Sequence, residues 1–329
     1  MKIYGLEEHM ATPDVVRAWE RQDPGLTEPM MRWAVASDIT ADLLDLGDRR
    51  LQAMDDAGID TAVLSVSTPG LQNLTAADAA ALQGPTNDAI AAAVARHPAR
   101  LQGFATLATP APAAAASELR RAVSDLDLHG AMIHARSGER AVDAIEFWDI
   151  YEAAADLRAP IYLHPRAPRP HITEVYYSGF GDRIDDLFAT GGIGWHYDAG
   201  LTLLRMIVAG LFDRFPDLQI ILGHWGEVVL FYLDRVAVLD GVTHLQRPVA
   251  EYFRTNVYIT PRGISSQRYL RWSAETVGIE RIMYASDYPF NRERDNSVRR
   301  FLDGAALTTS EREGVAFRTW ESLVAGIRR

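Results

Sequence analysis

The chain has 329 residues, 48% of them hydrophobic and 23% charged, with a formal net charge of −11. The acidic balance argues against a nucleic-acid surface, which needs a basic footprint, and the lack of cysteine excludes disulfides, thiolate metal sites and cysteine nucleophiles. Lys2 is the only lysine and stands at the start of the first apolar run, so Schiff-base chemistry and a carboxylated lysine bridging two metals lack a well-placed residue and any metal site is expected to be mononuclear. No apolar run approaches the ~18 residues of a membrane span. Glu7 and Glu8 spoil the N-terminus as a signal peptide, so a soluble cytoplasmic protein is expected.

Eight short apolar runs follow in order: Ile3–Leu6, Thr61–Val66, Leu101–Leu107, Ala131–His134, Ile161–His164, Gln219–Gly223, Val257–Thr260 and Ile282–Ser286. Their lack of alternation fits strands buried on both faces, as parallel strands are. Between them lie Ala-rich or 3.6-periodic stretches that predict helices over Ala76–Arg96, Ala113–Ser124, Ala141–Leu157, Tyr197–Phe215 and Val228–Leu239. Strand and helix alternating eight times predict an α/β fold, a (β/α)8 TIM barrel, with residues 1–329 as one domain. An open doubly wound sheet is the alternative, and it offers no reason for eight strand ends to surround one point. Two connections are long, 10–58 after the first run and 165–195 after the fifth. The first holds an irregular stretch and a helix from about Ser37 through Asp56; both read as lids or pocket walls.

The strand ends carry the chemistry. The first run ends Leu6-Glu7-Glu8-His9, and the two-residue period of a strand puts Glu7 and His9 on one face with Glu8 on the other. The fifth ends Tyr162-Leu163-His164 before a proline, the sixth continues into Gly223-His224-Trp225-Gly226-Glu227, and the eighth ends on Asp287 before Tyr288-Pro289-Phe290. Glu7, His9, His164 and Asp287 thus form a candidate ligand set of two imidazoles and two carboxylates, with His224 beside it. Such a set suits zinc, manganese or iron(II) and leaves positions open for substrate. The remaining histidines are assigned to helices, loops or other strand ends, with His134, at the end of the fourth run, and then His196, near the long connection, as the first alternatives for the site.

Glu7-x-His9, Tyr-Leu-His164-Pro-Arg, Gly210-Leu-Phe-Asp-Arg-Phe-Pro216 with the following Ile-Ile-Leu-Gly-His224-Trp-Gly-Glu227, and Ser-Asp287-Tyr-Pro-Phe290 together resemble the amidohydrolase superfamily. More closely they resemble its metal-dependent non-oxidative decarboxylases, those acting on γ-resorcylate, 2,3-dihydroxybenzoate and 5-carboxyvanillate; the stretch Arg50–Ile59 is similar to that branch as well. The likeness runs from residue 3 to about 292. It implies Glu7, His9, His164 and Asp287 as ligands of one divalent ion, Mn2+ or Zn2+. It also implies His224 and Glu227 as a catalytic pair, Arg235 as an arginine reaching a neighbouring subunit's substrate carboxylate, Phe290 as an aromatic wall, and a homodimer or homotetramer. Arg235 also fits a plain surface arginine. Met10 departs from the family, where an aromatic often follows the Glu-x-His, and this bears on pocket shape.

The implied reaction is decarboxylation of a hydroxybenzoate-type acid by protonation of the ring carbon, with Asp287 as first choice of proton donor and His224, oriented by Glu227, as relay or second choice. The same ligands also serve a mononuclear hydrolase of amides, esters or lactones, in which Asp287 takes a proton from water. A barrel that has lost activity and serves as a scaffold is the non-catalytic reading. Trp19, Trp33, Tyr176, Tyr177, Trp195 and His196 in the long connections supply aromatics for stacking on a benzoate.

Overall fold

The computed structural model describes residues 1–22, 28–31 and 37–329; Trp33 and Pro24 lie outside them. Strand β1 (Tyr4–Met10) pairs in parallel with β2 (Thr61–Val66), and β2 with β3 (Leu101–Gly103). One residue on, β4 (Ala105–Thr106) pairs with β5 (Ala131–His134). After the small antiparallel pair β6 (Arg136–Ser137) and β7 (Arg140–Ala141), the parallel order continues. It runs from β5 through β8 (Ile161–His164) and β9 (Ile220–Leu222) to β10 (Val257–Ile259). The fold is therefore parallel α/β, in agreement with the unalternating apolar runs.

The eighth run differs from its expectation. Ile282–Ser286 is no continuous strand: it touches its neighbours only by single bridges, Ile259 to Ile282 and Leu6 to Ala285. Its backbone bonds go to both sides, Met283 N–H to Ile259 O at 3.0 Å and Leu6 N–H to Tyr284 O at 2.9 Å. The partner on the second side is bulged at Glu7, which interrupts any ladder there.

Most predicted helices form, with breaks where local chemistry offers the backbone an alternative. Ala76–Arg96 is helical throughout, its N-cap Thr75 accepting from Asp78 N–H at 3.1 Å. The stretch from Ser37 splits into Ile39–Leu44 and Asp48–Ala57, because Asp45 accepts from the backbone N–H groups of Gly47 and Arg50 at 3.0 and 3.1 Å and starts a new helix. Gly210, at φ +77°, ends Gly194–Val208 and begins Leu211–Arg214. Val228 at φ +67° fragments the next stretch into Val229–Tyr232, Leu233–Val236 and Ala237–Gly241. The predicted Ala141–Leu157 helix starts late, at Ile145–Phe147 and Trp148–Leu157, because Ala141 is spent on β7. The long connection at 165–195 holds helices Pro170–Tyr176 and Asp182–Leu187, and the C-terminal helix is interrupted by a π turn at Gly314–Arg318. Among the described residues no helix is long and apolar enough to cross a membrane.

Two apolar clusters explain where the site sits. The larger packs strands against helices; the smaller draws on successive strands with Tyr4, Leu6, Val63, Phe104, Met132, Tyr162, Ile221 and Met283, with Trp320 against it. Since Tyr162 belongs to the inner cluster and Ile161 and Leu163 to the outer, His164 shares the inner face. The same period carries Met132 to His134 and Ile221 to Gly223.

His129 abuts Trp320, ring centroids 6.0 Å apart, and burial followed by the nearby Arg329 charge lowers its pKa to about 4. The folded protein thus holds a neutral ring where the unfolded chain protonates near 6.5. This contribution is complete above pH 6.5 and is lost as pH falls toward 4. Allowing for partial solvent contact, about 1–2 kcal/mol is expected to disappear across that window. Urea midpoints for His129→Gln and the parent at both ends of the window test this: the variant is to show the flatter profile.

Candidate metal centre

Strand β1 reaches the site by an irregularity. Tyr4 and Leu6 face the inner cluster, so strict alternation would turn Glu8 inward. Instead the register with β2 passes from Gly5–Ala62 to Glu8–Leu64, one extra residue on β1, and Glu7 takes φ +64°. The bulge reverses the faces. Glu7 and His9 point into the site, 3.7 Å apart, while Glu8 accepts hydrogen bonds from Ser286 N–H and Oγ–H at 3.2 and 2.7 Å. The sequence grouping of Glu7 with His9 therefore holds, by a route that alternation alone does not supply.

The donor atoms of Glu7, His9 and His164 lie within 4.8 Å of one another, all fully buried. Glu7 Oε1 is 3.0 Å from His164 Nε2, and Asp287 Oδ1 is 3.4 Å from His9 Nε2. Asp287, at φ +68°, is the member of the set that reaches solvent, its side chain 16% exposed. Phe290 packs edge-on against the His9 ring, centroids 5.6 Å apart. Gly223 leaves room for this convergence: a Cβ there would stand 3.4 Å from Glu7 Oε2 and 3.3 Å from Glu227 Oε1.

Electrostatics leave both imidazoles ready to donate lone pairs. Burial, followed by the Arg262 charge for His164, lowers the pKa of His9 and His164, so both rings are neutral. His164 Nδ1–H donates to Pro165 O at 2.5 Å and His9 Nδ1 lies 3.4 Å from Ser65 Oγ, which turns each Nε2 inward. Burial raises the Glu7 pKa, with the neighbouring Asp287 charge adding to it and Arg262 opposing; for Asp287, Arg262 and His9 outweigh burial and hold the carboxyl below its usual range. Among the described residues, Glu7 Oε1 and Asp287 Oδ1 are buried atoms that accept no hydrogen bond and have the Arg262 guanidinium as their cationic neighbour, Asp287 Oδ1 at 3.1 Å from Nη2. Inward Nε2 lone pairs and two carboxylate oxygens gathered around one positive charge form a mixed nitrogen and oxygen set that fits a divalent ion.

His224 and Glu227 form a second layer. Glu227 is fully buried and bridges two rings, accepting from His224 Nδ1–H at 2.5 Å and from His196 Nδ1–H at 2.7 Å. Burial alone would raise Glu227, but the two rings and their hydrogen bonds bring it down to about 2, and burial followed by Arg262 lowers His224 to about 3. Although Glu227, His224 and His196 also cluster tightly, both Nδ1 atoms are spent on the carboxylate. His196 is further anchored by Trp195 Nε1–H at 3.1 Å.

Of the residues read from the sequence, the structure brings together Glu7, His9, His164, Asp287, His224, Glu227 and Phe290. It does not bring Arg235, which is exposed on Leu233–Val236, to this cluster. Of the loop aromatics, Trp195 and His196 reach it; Trp19 is a core residue donating to Gly70 O, and Tyr177 packs on Phe188. Residues missed are Tyr162, whose hydroxyl bonds Glu7 and Thr260, His134, which packs against His164 at 4.9 Å between centroids, and Arg262. Arg262 follows the seventh run as Pro261-Arg262-Gly263, a polar residue just past a strand end like Glu7 and His224, and that signal could have found it.

The amidohydrolase family profile matches residues 19–316. The chain is 36% identical over 291 residues to Decarboxylase orsB of Emericella nidulans, covering 86% of each. It is similar to the solved 5-carboxyvanillate decarboxylase of Sphingomonas paucimobilis, with 30% identity, 99% of each chain covered and a TM-score of 0.90. The dihydroxybenzoic acid decarboxylase of Polaromonas sp., solved with manganese and 2-nitroresorcinol, aligns at 27% identity over 98% of this chain and 97% of that one, with a TM-score of 0.84. Taken with the ligand geometry, these likenesses place the chain in the amidohydrolase family, in its branch of non-oxidative decarboxylases.

Proposed function

We propose that the protein is a metal-dependent carboxy-lyase that removes carbon dioxide from a hydroxybenzoate-type acid. The observation that carries this reading is a buried set of two imidazoles and two carboxylates in which Asp287 reaches solvent, in a chain aligned almost end to end with decarboxylases of hydroxylated aromatic acids. Glu7, His9, His164 and Asp287 would hold one divalent ion, Mn2+ before Zn2+ given the two carboxylates and the manganese in the Polaromonas relative. The ion would supply Lewis-acid charge for an ortho hydroxyl and a carboxylate oxygen.

The chain's own groups do the rest. Asp287, kept ionised, accepts the proton that the ortho hydroxyl gives up on binding and returns it to the ring carbon bearing the carboxylate. Cleavage of the bond to the carboxylate then restores aromaticity as carbon dioxide leaves, and the product phenolate takes a proton from solvent. His224, held by Glu227, passes protons between the site and its mouth. Phe290 and Trp195 wall the ring, and Arg235 is proposed to serve a neighbouring subunit in a homodimer or homotetramer. The reading takes residues 1–329 as one domain, a closed (β/α)8 barrel whose ring is completed through the bridges at Ala285 and Ile282, in a cytoplasmic enzyme.

Carbon dioxide release from 2,6- and 2,3-dihydroxybenzoate and 5-carboxyvanillate, assayed beside esters and lactones, tests the proposal. Turnover of a hydroxybenzoate, abolished by chelator and restored by Mn2+, is expected. Turnover confined to lactones would overturn it in favour of a hydrolase.

A further inference from the structure

The Arg262 guanidinium stands at the point on which the ligand set converges. Its side chain is 2% exposed. Nη2 lies 2.8 Å from His164 Nε2, 3.3 Å from His9 Nε2 and 3.1 Å from Asp287 Oδ1. Nε abuts Glu7 Oε1, and Nη1 meets His224 Nε2. These are the lone pairs that a divalent ion would take. The guanidinium is thus the stand-in cation of this site, and geometry forbids both from using those atoms together.

We propose that Arg262 is a positioning residue that acts as a displaceable internal cation. It balances the charge of the buried carboxylates and holds the imidazoles in place, and it must swing out for a metal ion to bind. The inference rests on the proposed metal site. Two further observations mark the position as a special one with a second cation-binding surface beside it. Arg262 sits at φ +39° beside Gly263 at φ +68°, a left-handed turn of the kind that stores strain at functional positions. The Trp195 ring lies 5.6 Å from its guanidinium carbon and the Glu227-backed His224 ring adjoins Nη1, so a landing site for the displaced cation already flanks it.

Competition has a definite consequence. If the ligand atoms are free of the guanidinium only a tenth of the time, the apparent metal affinity is reduced about 10-fold, and removing the competitor restores it. Calorimetric titration of chelator-stripped protein with Mn2+ is the test, on the parent, Arg262→Gln and Arg262→Lys. Arg262→Gln is expected to bind about 10-fold tighter or better, with Arg262→Lys in between because a single ammonium reaches fewer acceptors. The stripped Gln variant is expected to melt lower than the stripped parent, and this deficit is to vanish at saturating Mn2+.

A merely structural arginine predicts the opposite: a deficit with and without metal, and affinity unchanged or weaker. That result, with one equivalent bound by the parent, overturns the role of Arg262 and leaves the metal site standing. Failure of all three proteins to bind metal overturns the metal site and this inference with it. Should the Gln variant not fold, the Lys variant decides, affinity above the parent supporting the inference and affinity at or below it overturning it.

Discussion

Asp287→Asn is expected to lower kcat by on the order of 10²–10⁴, the range for losing a positioned proton-transfer group, while the protein still folds and still binds metal when Mn2+ is supplied at saturating concentration. The substitution keeps the shape of the side chain and an oxygen for coordination. It removes the one property the mechanism needs, the ability to take a proton and hand it on at the ring carbon. Asp287 is singled out because it reaches solvent while Glu7, His9 and His164 do not, and because Arg262 and His9 hold it ionised against the pull of burial. Carbon dioxide release, metal content and far-ultraviolet circular dichroism on the same preparation check the three parts together. A variant that retains turnover would move the proton to His224, whose Nδ1–H is anchored on Glu227.

Glu7→Gln is expected to act on both metal binding and stability. Glu7 touches His164, His9 and Arg262 with Oε1 and receives the Tyr162 hydroxyl on Oε2, all in a fully buried setting. Neutralising it removes one of two carboxylates from the set, so metal affinity should fall about 100-fold or more, beyond the effect of losing an outer-shell partner. It also leaves the Arg262 guanidinium with Asp287 as its remaining carboxylate within ion-pair reach. Removing a partner from a buried charge pair costs up to about 3–5 kcal/mol, less to the extent that burial already raises Glu7 toward its neutral form, and urea titration of the chelator-stripped protein measures the loss. Native stability together with loss of metal would show that Arg262 does not depend on Glu7 for its place.

The two variants also separate functions that one cluster combines. In the proposed mechanism Asp287 moves a proton, while Glu7, bonded by the Tyr162 hydroxyl that also meets Thr260, is a buried ligand. A site that reads as four equivalent ligands is therefore asymmetric: one member faces solvent and three do not.

Much of this was legible in residue order. Unalternating apolar runs such as Thr61–Val66 and Ile161–His164 named their strands residue for residue, because a strand buried on both faces leaves that mark whatever surrounds it. Strand ends carrying Glu7, His9, His164 and His224 named the rim, because parallel strands deliver their C-terminal residues to one side. What the tertiary structure alone decided lies where distant segments meet. The Glu7 bulge depends on β1 pairing with β2 on one side and Tyr284–Ala285 on the other, so alternation along β1 could not contain it. The same two-sided demand dissolved Ile282–Ser286 into single bridges. Arg262 comes from the seventh run, and only packing brings its guanidinium into the ligand set built from the first, fifth and eighth. His196 joins Glu227 across 31 residues for the same reason. Residue types and periodicity determine which groups stand at strand ends; which of them share a charge, a proton or a metal is settled by long-range contacts, whose energies no local pattern encodes.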